Sequence, residues 1–377
     1  MIYLDYCATG APFESVLSLF KEISKNNFGN PSSLHFYGYE SKKILEEARN
    51  SILSILKVDK EDNLIFTSGA TEANNLALKG LALKYQNRGK KIITSEGEHP
   101  SILNPLRQLH DLFGFDIVYL KLNQDGVINL EDLKKAIDKD TILVSVMGVN
   151  NETGAISPLQ EIAKIVKEYP KCFFHSDLTQ AIGKIDLDYS IFDLFSFSAH
   201  KIGGLKGSGA LIYKKKIQFI PLISGGEQEF SLRSGTSDVA SDACLFEAIK
   251  VTFNYLKERK SYVESIHSYL IEKLEEIPSI VINSPSNSSP FLTSISLLEN
   301  KASVVVEGLS NKKICVSSVS ACSSKGEPSS YVLLSMGKSE RLAHNPIRIS
   351  ISFFTTKEEI DTFIFELKSL LKETKSI

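Results

Sequence analysis

The chain has 377 residues, 42% of them hydrophobic, which is enough for two or three domains and a sizeable core. Its 43 basic residues nearly balance 45 acidic ones, for a formal net charge of -2, which argues against a nucleic acid or a membrane surface as a direct partner. The five cysteines, Cys7, Cys172, Cys244, Cys315 and Cys322, are odd in number, scattered and without a C-x-x-C pair, so neither a disulfide framework nor a structural zinc site is expected, and a reducing cytoplasm is the expected location.

In chain order, MIYLDYCATGAP (1–12) meets acidic Asp5 almost at once, so no signal peptide is expected. The segment is too short to be a domain and is expected to pack across the others. From about residue 40 to 255, short apolar runs alternate with helical stretches. The runs are NLIFTS (63–68), KKIITSE (90–96), TILVSVMGV (141–149), KCFFHSD (171–177), FDLFSFS (192–198) and GALIYK (209–214). Each is bounded by turn residues and nearly continuously apolar, as strands buried on both faces are. TEANNLALKGLALKYQ (71–86) and SPLQEIAKIVKEY (157–169) read as helices between them, so the alternation predicts a mostly parallel sheet wrapped by helices. A charged helical pattern from Asp238 to about Ile277, broken at most once, bridges to a second region. There IVINS (280–284), FLTSISLL (291–298), KICVSS (313–318) and IRISISFF (347–354) read as strands of a smaller sheet. The terminal KEEIDTFIFELKSLLKE (357–373) places Ile360, Phe363, Ile364, Leu367 and Leu371 on one helical face. No apolar run is long enough to span a bilayer. The expected division is a large domain, 14–255, and a smaller α+β domain built from 256–377 with the N-terminal segment 1–13.

Polar residues follow each strand of the first region: Gly69-Ala70-Thr71, Gly97-Glu98-His99, Asn150-Asn151-Glu152, Asp177 with Thr179 and Gln180, and Ala199-His200-Lys201. Parallel strands end on one edge of their sheet, where open α/β sheets bind ligands, so these groups converge there. Ser68-Gly69-Ala70-Thr71 opens a helix whose free N–H groups suit a phosphate, with Ser198, His200 and Thr236 as further donors. Asp177 could pair with a cationic ring nitrogen and His99 could stack on a flat ring. Lys201 could bond covalently to an aldehyde, which requires a neutral amine. Each residue alone has an ordinary reading as a cap, a turn or a solvated side chain. Together they describe a site for pyridoxal phosphate.

SVSACSSKGEPSSY (318–331) sets Cys322 among small and turn-forming residues, where an exposed loop is expected, whereas Cys172 and Cys315 lie in strand-like runs and read as core. Arg348, in IRISISFF, could grip a carboxylate with two parallel hydrogen bonds. Competing motifs fail. Gly337-Lys338-Ser339 resembles the end of a P-loop, but Val332 stands where that loop needs glycine. Ser198-Ala199-His200-Lys201 matches the short S-x-x-K of serine acyl-enzymes, without their companion signatures.

On YLDYCAT (3–9), FGNPSS (28–33), FTSGATEANN (66–75), EGEH (96–99), VNNETG (149–154), HSDLTQAIGK (175–184), SFSAHKIGGLKGSGAL (196–211), RSGT (233–236), SACSS (320–324), EPSSYVL (327–333) and IRISISFFTT (347–356), the chain resembles the cysteine desulfurases, class V aminotransferases that depend on pyridoxal 5'-phosphate. The resemblance runs nearly the whole length in order. It implies the fold type I, aspartate aminotransferase-like α/β architecture, with a large mostly parallel-sheet domain and a smaller α+β domain. It implies conversion of L-cysteine to L-alanine, with the sulfur left as a persulfide on Cys322. Lys201 carries the cofactor, His99 stacks on it and moves protons, and Asp177 pairs with the pyridinium. Asn151 and Gln180 bond the ring hydroxyl. Ala70, Thr71, Ser198 and His200 hold the phosphate, Thr236 reaches it from the second subunit of a homodimer, and Arg348 binds the substrate carboxylate. The implied partner is a sulfur-acceptor protein, either an iron–sulfur scaffold or a tRNA-thiolation enzyme. A selenocysteine lyase, or another β-lyase on the same cofactor, shares these motifs and is the alternative.

Overall fold

The computed structural model describes residues 1–318 and 329–374. β1 (Ile2–Tyr3) opens the chain. A seven-stranded sheet follows, built from β2 (Asn63–Thr67), β3 (Lys91–Ser95), β4 (Asp116–Leu120), β5 (Thr141–Ser145), β6 (Phe173–Asp177), β7 (Leu194–Ser198) and β8 (Gly209–Tyr213), in the order β2-β8-β7-β6-β5-β3-β4. Every pairing from β7 through β4 is parallel, while β8 runs antiparallel to both β2 and β7. All six runs read as strands from the sequence are strands; β4 was not among them. It lies at the sheet edge, where its apolar run Ile117–Leu120 is only partly covered and Leu120 alone is buried.

Side chains alternate across this sheet, as the two-residue period of a strand requires. Leu64, Phe66, Phe174, Phe195 and Phe197 enter one core, while Ile65, Phe173, Leu194 and Leu211 enter the core on the opposite face. At Gly209 an added Cβ would lie 2.6 Å from the Gly69 Cα, so only glycine lets β8 pass this close to the turn that follows β2.

The Asp238–Ile277 pattern forms two helices, Val239–Asn254 and Leu256–Glu275, broken at Tyr255. The second sheet is antiparallel, with β9 (Ile280–Ile282), β10 (Leu292–Leu297), β12 (Ser317–Ser318) and β13 (Pro346–Ser350) in the order β12-β13-β10-β9; β11 (Ile314–Cys315) pairs instead with β1 in a two-stranded parallel ribbon. The IRISISFF run is strand only as far as Ser350; beyond it the Ser352 Oγ accepts from the Phe354 N–H in a turn. The last helix, Lys357–Glu373, starts at a capping box between Thr356 and Glu359 and buries all five residues assigned to its apolar face. Val332, Leu333, Met336 and Ala343, distant in sequence from the large sheet, pack into its first core. Among the described residues no helix is long and apolar enough to cross a membrane.

The N-terminal segment crosses both sheets. Leu4 is buried in the core of the smaller one, and Asp5 bridges to Ser350. Gly10 N–H then donates to the His200 carbonyl at 3.0 Å and Phe13 N–H to the Gly203 carbonyl at 2.9 Å.

A buried ion pair holds a strained turn. Glu229, Phe230 and Ser231 have φ of 46°, 58° and 61°, each costing on the order of 1–3 kcal/mol for a residue with a Cβ. The Glu229 carboxylate accepts two bonds from the Arg49 guanidinium, at 2.8 and 3.0 Å, and a third from the Phe66 N–H at 2.8 Å. Arg49→Met leaves that carboxylate buried with one donor, so it should destabilise the protein by about 3–5 kcal/mol in denaturant unfolding. A loss under about 1 kcal/mol, the range of an exposed pair, would contradict this assignment.

Candidate active site

Lys201 closes a short helical turn directly after β7. Its Nζ donates to the carbonyl oxygens of Cys7 and Ala8, the latter at 2.7 Å. It faces no carboxylate closely enough to form a salt bridge among the described residues. Burial, with Lys184 and Arg348 nearby, pushes its amine down to about 8, against the opposing influence of Cys7 and Asp5. A substantial fraction of neutral amine is therefore available near neutral pH, as bonding to an aldehyde requires.

Asp177 ends β6. Its Oδ1 accepts from the Thr179 N–H at 2.9 Å and its Oδ2 from the Asn74 amide at 2.8 Å. Asn74 is itself fixed, because its Nδ2 also donates to Ser101 Oγ at 2.9 Å and its Oδ1 accepts from Ser196. Below this network His175 is fully buried, and desolvation pushes it down to about 4. It is therefore neutral and adds no charge next to Asp177.

His99 caps the helix Pro100–Phe113, with Pro100 at the first helical position, where its missing N–H costs nothing. The His99 Nδ1 accepts from the Ser101 N–H at 3.1 Å, which assigns the ring proton to Nε2. Desolvation lowers its affinity for a second proton, with Lys201 acting in the same direction and Asp177 opposing.

The turn after β2 enters a helix at Ala70, with Gly69 at φ 145°. The Ala70 N–H donates to Ser198 Oγ at 2.7 Å, which brings the ends of β2 and β7 together. His200 Nδ1 meets Thr9 Oγ1 at 3.2 Å, and Thr71 and Thr236 are exposed. Arg348, from β13 of the smaller sheet, donates to the Asn151 carbonyl at 3.0 Å and to Asp5 at 3.2 Å. Gln180 is buried with both ends of its amide engaged, its Nε2 donating to the Cys7 carbonyl at 2.9 Å and its Oε1 accepting from Lys184 at 2.8 Å. Ala70, Thr71, His99, Asn151, Asp177, Gln180, Ser198, His200 and Lys201 thus lie at the ends of β2, β3, β5, β6 and β7, which all run in one direction. Arg348 joins them from the second sheet. Cys322 lies outside the described residues. Cys7, Cys172 and Cys244 are buried, and Cys315, read as core, is partly exposed at the end of its two-residue strand.

Several residues that build this edge carry no strand-end signal: Asn74 and Ser101 lie on helices, and Asp5 lies beside Arg348. Glu98 and Glu152 do follow strands, but the sequence assigns them no role, and both are buried acids. Burial pushes Glu98 up to about 8 and Glu152 to about 7. The donor set fits pyridoxal phosphate, with a helix start and hydroxyls for the phosphate, a carboxylate for the ring nitrogen and an amine for the aldehyde. Asn151 Oδ1, Thr179 Oγ1 and Arg348 Nε are buried without a partner among the described residues, and a ligand here would give them one.

The sequence model of the aminotransferase class-V family matches residues 2–363. A cysteine desulfurase IscS of Dictyoglomus turgidum is 39% identical, over 100% of this chain and 96% of that protein. A mitochondrial cysteine desulfurase of Candida maltosa is 43% identical, over 96% of this chain and 76% of its own length. Among solved structures, a NifS-like protein superposes with a TM-score of 0.92 at 34% identity, over 99% of both chains. The chain belongs to the class V aminotransferase family, among its pyridoxal-phosphate-dependent cysteine desulfurases.

Proposed function

We propose that the protein removes the sulfur of L-cysteine, releases L-alanine, and holds the sulfur as a persulfide on Cys322 for an acceptor protein. The observation that carries this reading is the meeting of Lys201, Asp177 and His99 at one sheet edge, with Arg348 reaching in from the other sheet.

Bound at this edge, pyridoxal phosphate supplies an aldehyde that captures amines and a ring that accepts the electron pair left when a Cα proton departs. In the proposed arrangement Ala70, Thr71, Ser198 and His200 hold its phosphate, and Thr236 reaches it from the second subunit of a homodimer. Asn151 and Gln180 bond its ring hydroxyl, Asp177 holds the proton on its ring nitrogen, and His99 stacks on its face. Arg348 takes the substrate carboxylate, for which its unpartnered Nε is a free donor. The Lys201 amine removes the Cα proton, and His99 Nε2 is the second proton carrier. The Cys322 thiolate attacks the substrate sulfur. An S–S bond forms as the C–S bond breaks, and the carbon fragment takes a proton and leaves as alanine. The acceptor is an iron–sulfur scaffold or a tRNA-thiolation enzyme of the cytoplasm, and the chain divides into a cofactor domain, 14–255, and a smaller domain of 1–13 with 256–377.

Anaerobic incubation of the cofactor-loaded protein with L-cysteine should yield alanine and add one sulfur to Cys322, found by peptide mass spectrometry. Cys322→Ser should abolish the persulfide. Turnover of L-selenocysteine alone, with no alanine from L-cysteine, would contradict the desulfurase reading. A second expectation follows from the Lys201 amine. Because only its neutral form attacks an aldehyde, cofactor capture by the cofactor-free protein should rise with pH through about 8 and level off above it. A capture rate that is flat or falling across this range would contradict an unprotonated Lys201 as the nucleophile.

A further inference from the structure

Lys184 is almost fully buried, at 8% exposure, and forms no salt bridge among the described residues. Such a lysine is uncommon, because a buried ammonium is costly without a pairing charge. Among the described residues its hydrogen bond is to the Gln180 Oε1 at 2.8 Å, and the Phe291 ring lies 6.0 Å away. An ammonium only donates, so the end of the Gln180 amide facing it must be the oxygen. The other end faces the Cys7 carbonyl at 2.9 Å, which only accepts, so that end must be the NH2. A flipped amide would set donor against donor on one side and acceptor against acceptor on the other. One N–H of Gln180 is thus committed to Cys7, and the second is left without a partner among the described residues.

We propose that Lys184 is a positioning residue for the cofactor: it locks the Gln180 amide with one N–H free for the anionic ring oxygen, and its protonated form adds a positive charge that acts on the Lys201 amine. The inference rests on the assignment of Gln180 and Lys201 to the cofactor site. Lys184 is linked to Lys201 through the Gln180 amide and then the Cys7 carbonyl, which accepts from both Gln180 and Lys201. The charged and titratable groups facing Lys201 are Cys7 and Asp5 from the N-terminal segment, Lys184 from the turns after β6, and Arg348 from β13, with His99 and the adjacent His200 also within electrostatic reach. Of these, Lys184 and Arg348 oppose protonation of Lys201, and Arg348 is already paired with Asp5.

The test uses Lys184→Met, Lys184→Arg, Gln180→Leu and the double variant Lys184→Met/Gln180→Leu. Two quantities are read. The first is the pH midpoint for acylation of Lys201 in the cofactor-free protein, followed by peptide mass spectrometry. The second is the dissociation constant for pyridoxal phosphate. Lys184→Met should move the midpoint to higher pH, because a repelling charge is gone, and Lys184→Arg should return it toward the wild-type value. Lys184→Met should weaken cofactor binding by about tenfold, the scale of one charge-assisted hydrogen bond. In the Gln180→Leu background the same substitution should weaken it little further, because the amide it orients is absent. An unmoved midpoint, or affinity losses that simply add, overturns the proposal. If Lys184→Met does not fold, Lys184→Gln is read for the midpoint, with the same expected and overturning results. A wild-type protein that fails to bind pyridoxal phosphate at Lys201 defeats the functional assignment instead, and the acylation midpoint still decides the role of Lys184.

Discussion

The capture of Lys201 by the carbonyls of Cys7 and Ala8 is the contact on which the rest of the site depends. Those carbonyls belong to a segment tied at one end into the smaller sheet, through Leu4 and Asp5, and at the other to the turns around Lys201, through Gly10 and Phe13. The same few residues therefore set the distance between the two sheets and the position of the amine. They also position Arg348, whose guanidinium is held by Asp5 from this segment and by the Asn151 carbonyl from the large sheet. An amine and an arginine from different sheets are thus fixed relative to each other by backbone carbonyls and by the Asp5 carboxylate.

The electrostatics follow from burial as much as from pairing. Lys184, Lys201 and Arg348 gather at this edge, and among the described residues only Arg348 has an acidic partner. The nearby acids do not offset them. Glu98 is pushed up to about 8 by burial and so is mostly protonated at neutral pH, and Glu152 is pushed to about 7. Asp177 instead receives two N–H donors, from Thr179 and Asn74. The result is a pocket that gathers the basic groups Lys184, Lys201 and Arg348 with an Asp177 carboxylate held by two N–H donors, suited to a ligand that brings a phosphate and a carboxylate of its own and presents one protonated ring nitrogen. Neutral His175 beneath Asp177 completes the scaffold without disturbing this balance.

Much of this was legible in the sequence, for identifiable reasons. Six strands of the large sheet carry continuous apolar runs because both their faces are covered, and the polar residues after them mark the sheet edge. β4 escaped although Ile117–Leu120 is apolar; it is a short edge strand in which Leu120 alone is buried. The reversed direction of β8 escaped because apolar periodicity carries no sign of direction; since β8 bears none of the assigned residues, the convergence survived. Asn74 and Lys184 illustrate the remaining gap. Each lies beyond a strand end, and each matters only through the side chain it meets, Asp177 and Gln180 respectively. Spacing along a chain does not reveal such pairs, because the chain separation between Asn74 and Asp177 is bridged only by the fold.

The most direct test of the account is to reduce the cofactor-loaded protein with borohydride, which makes the lysine attachment permanent, and to locate the adduct by peptide mass spectrometry. The account predicts a single modified lysine, Lys201. Modification of Lys184 or another lysine, or none at all, would contradict it.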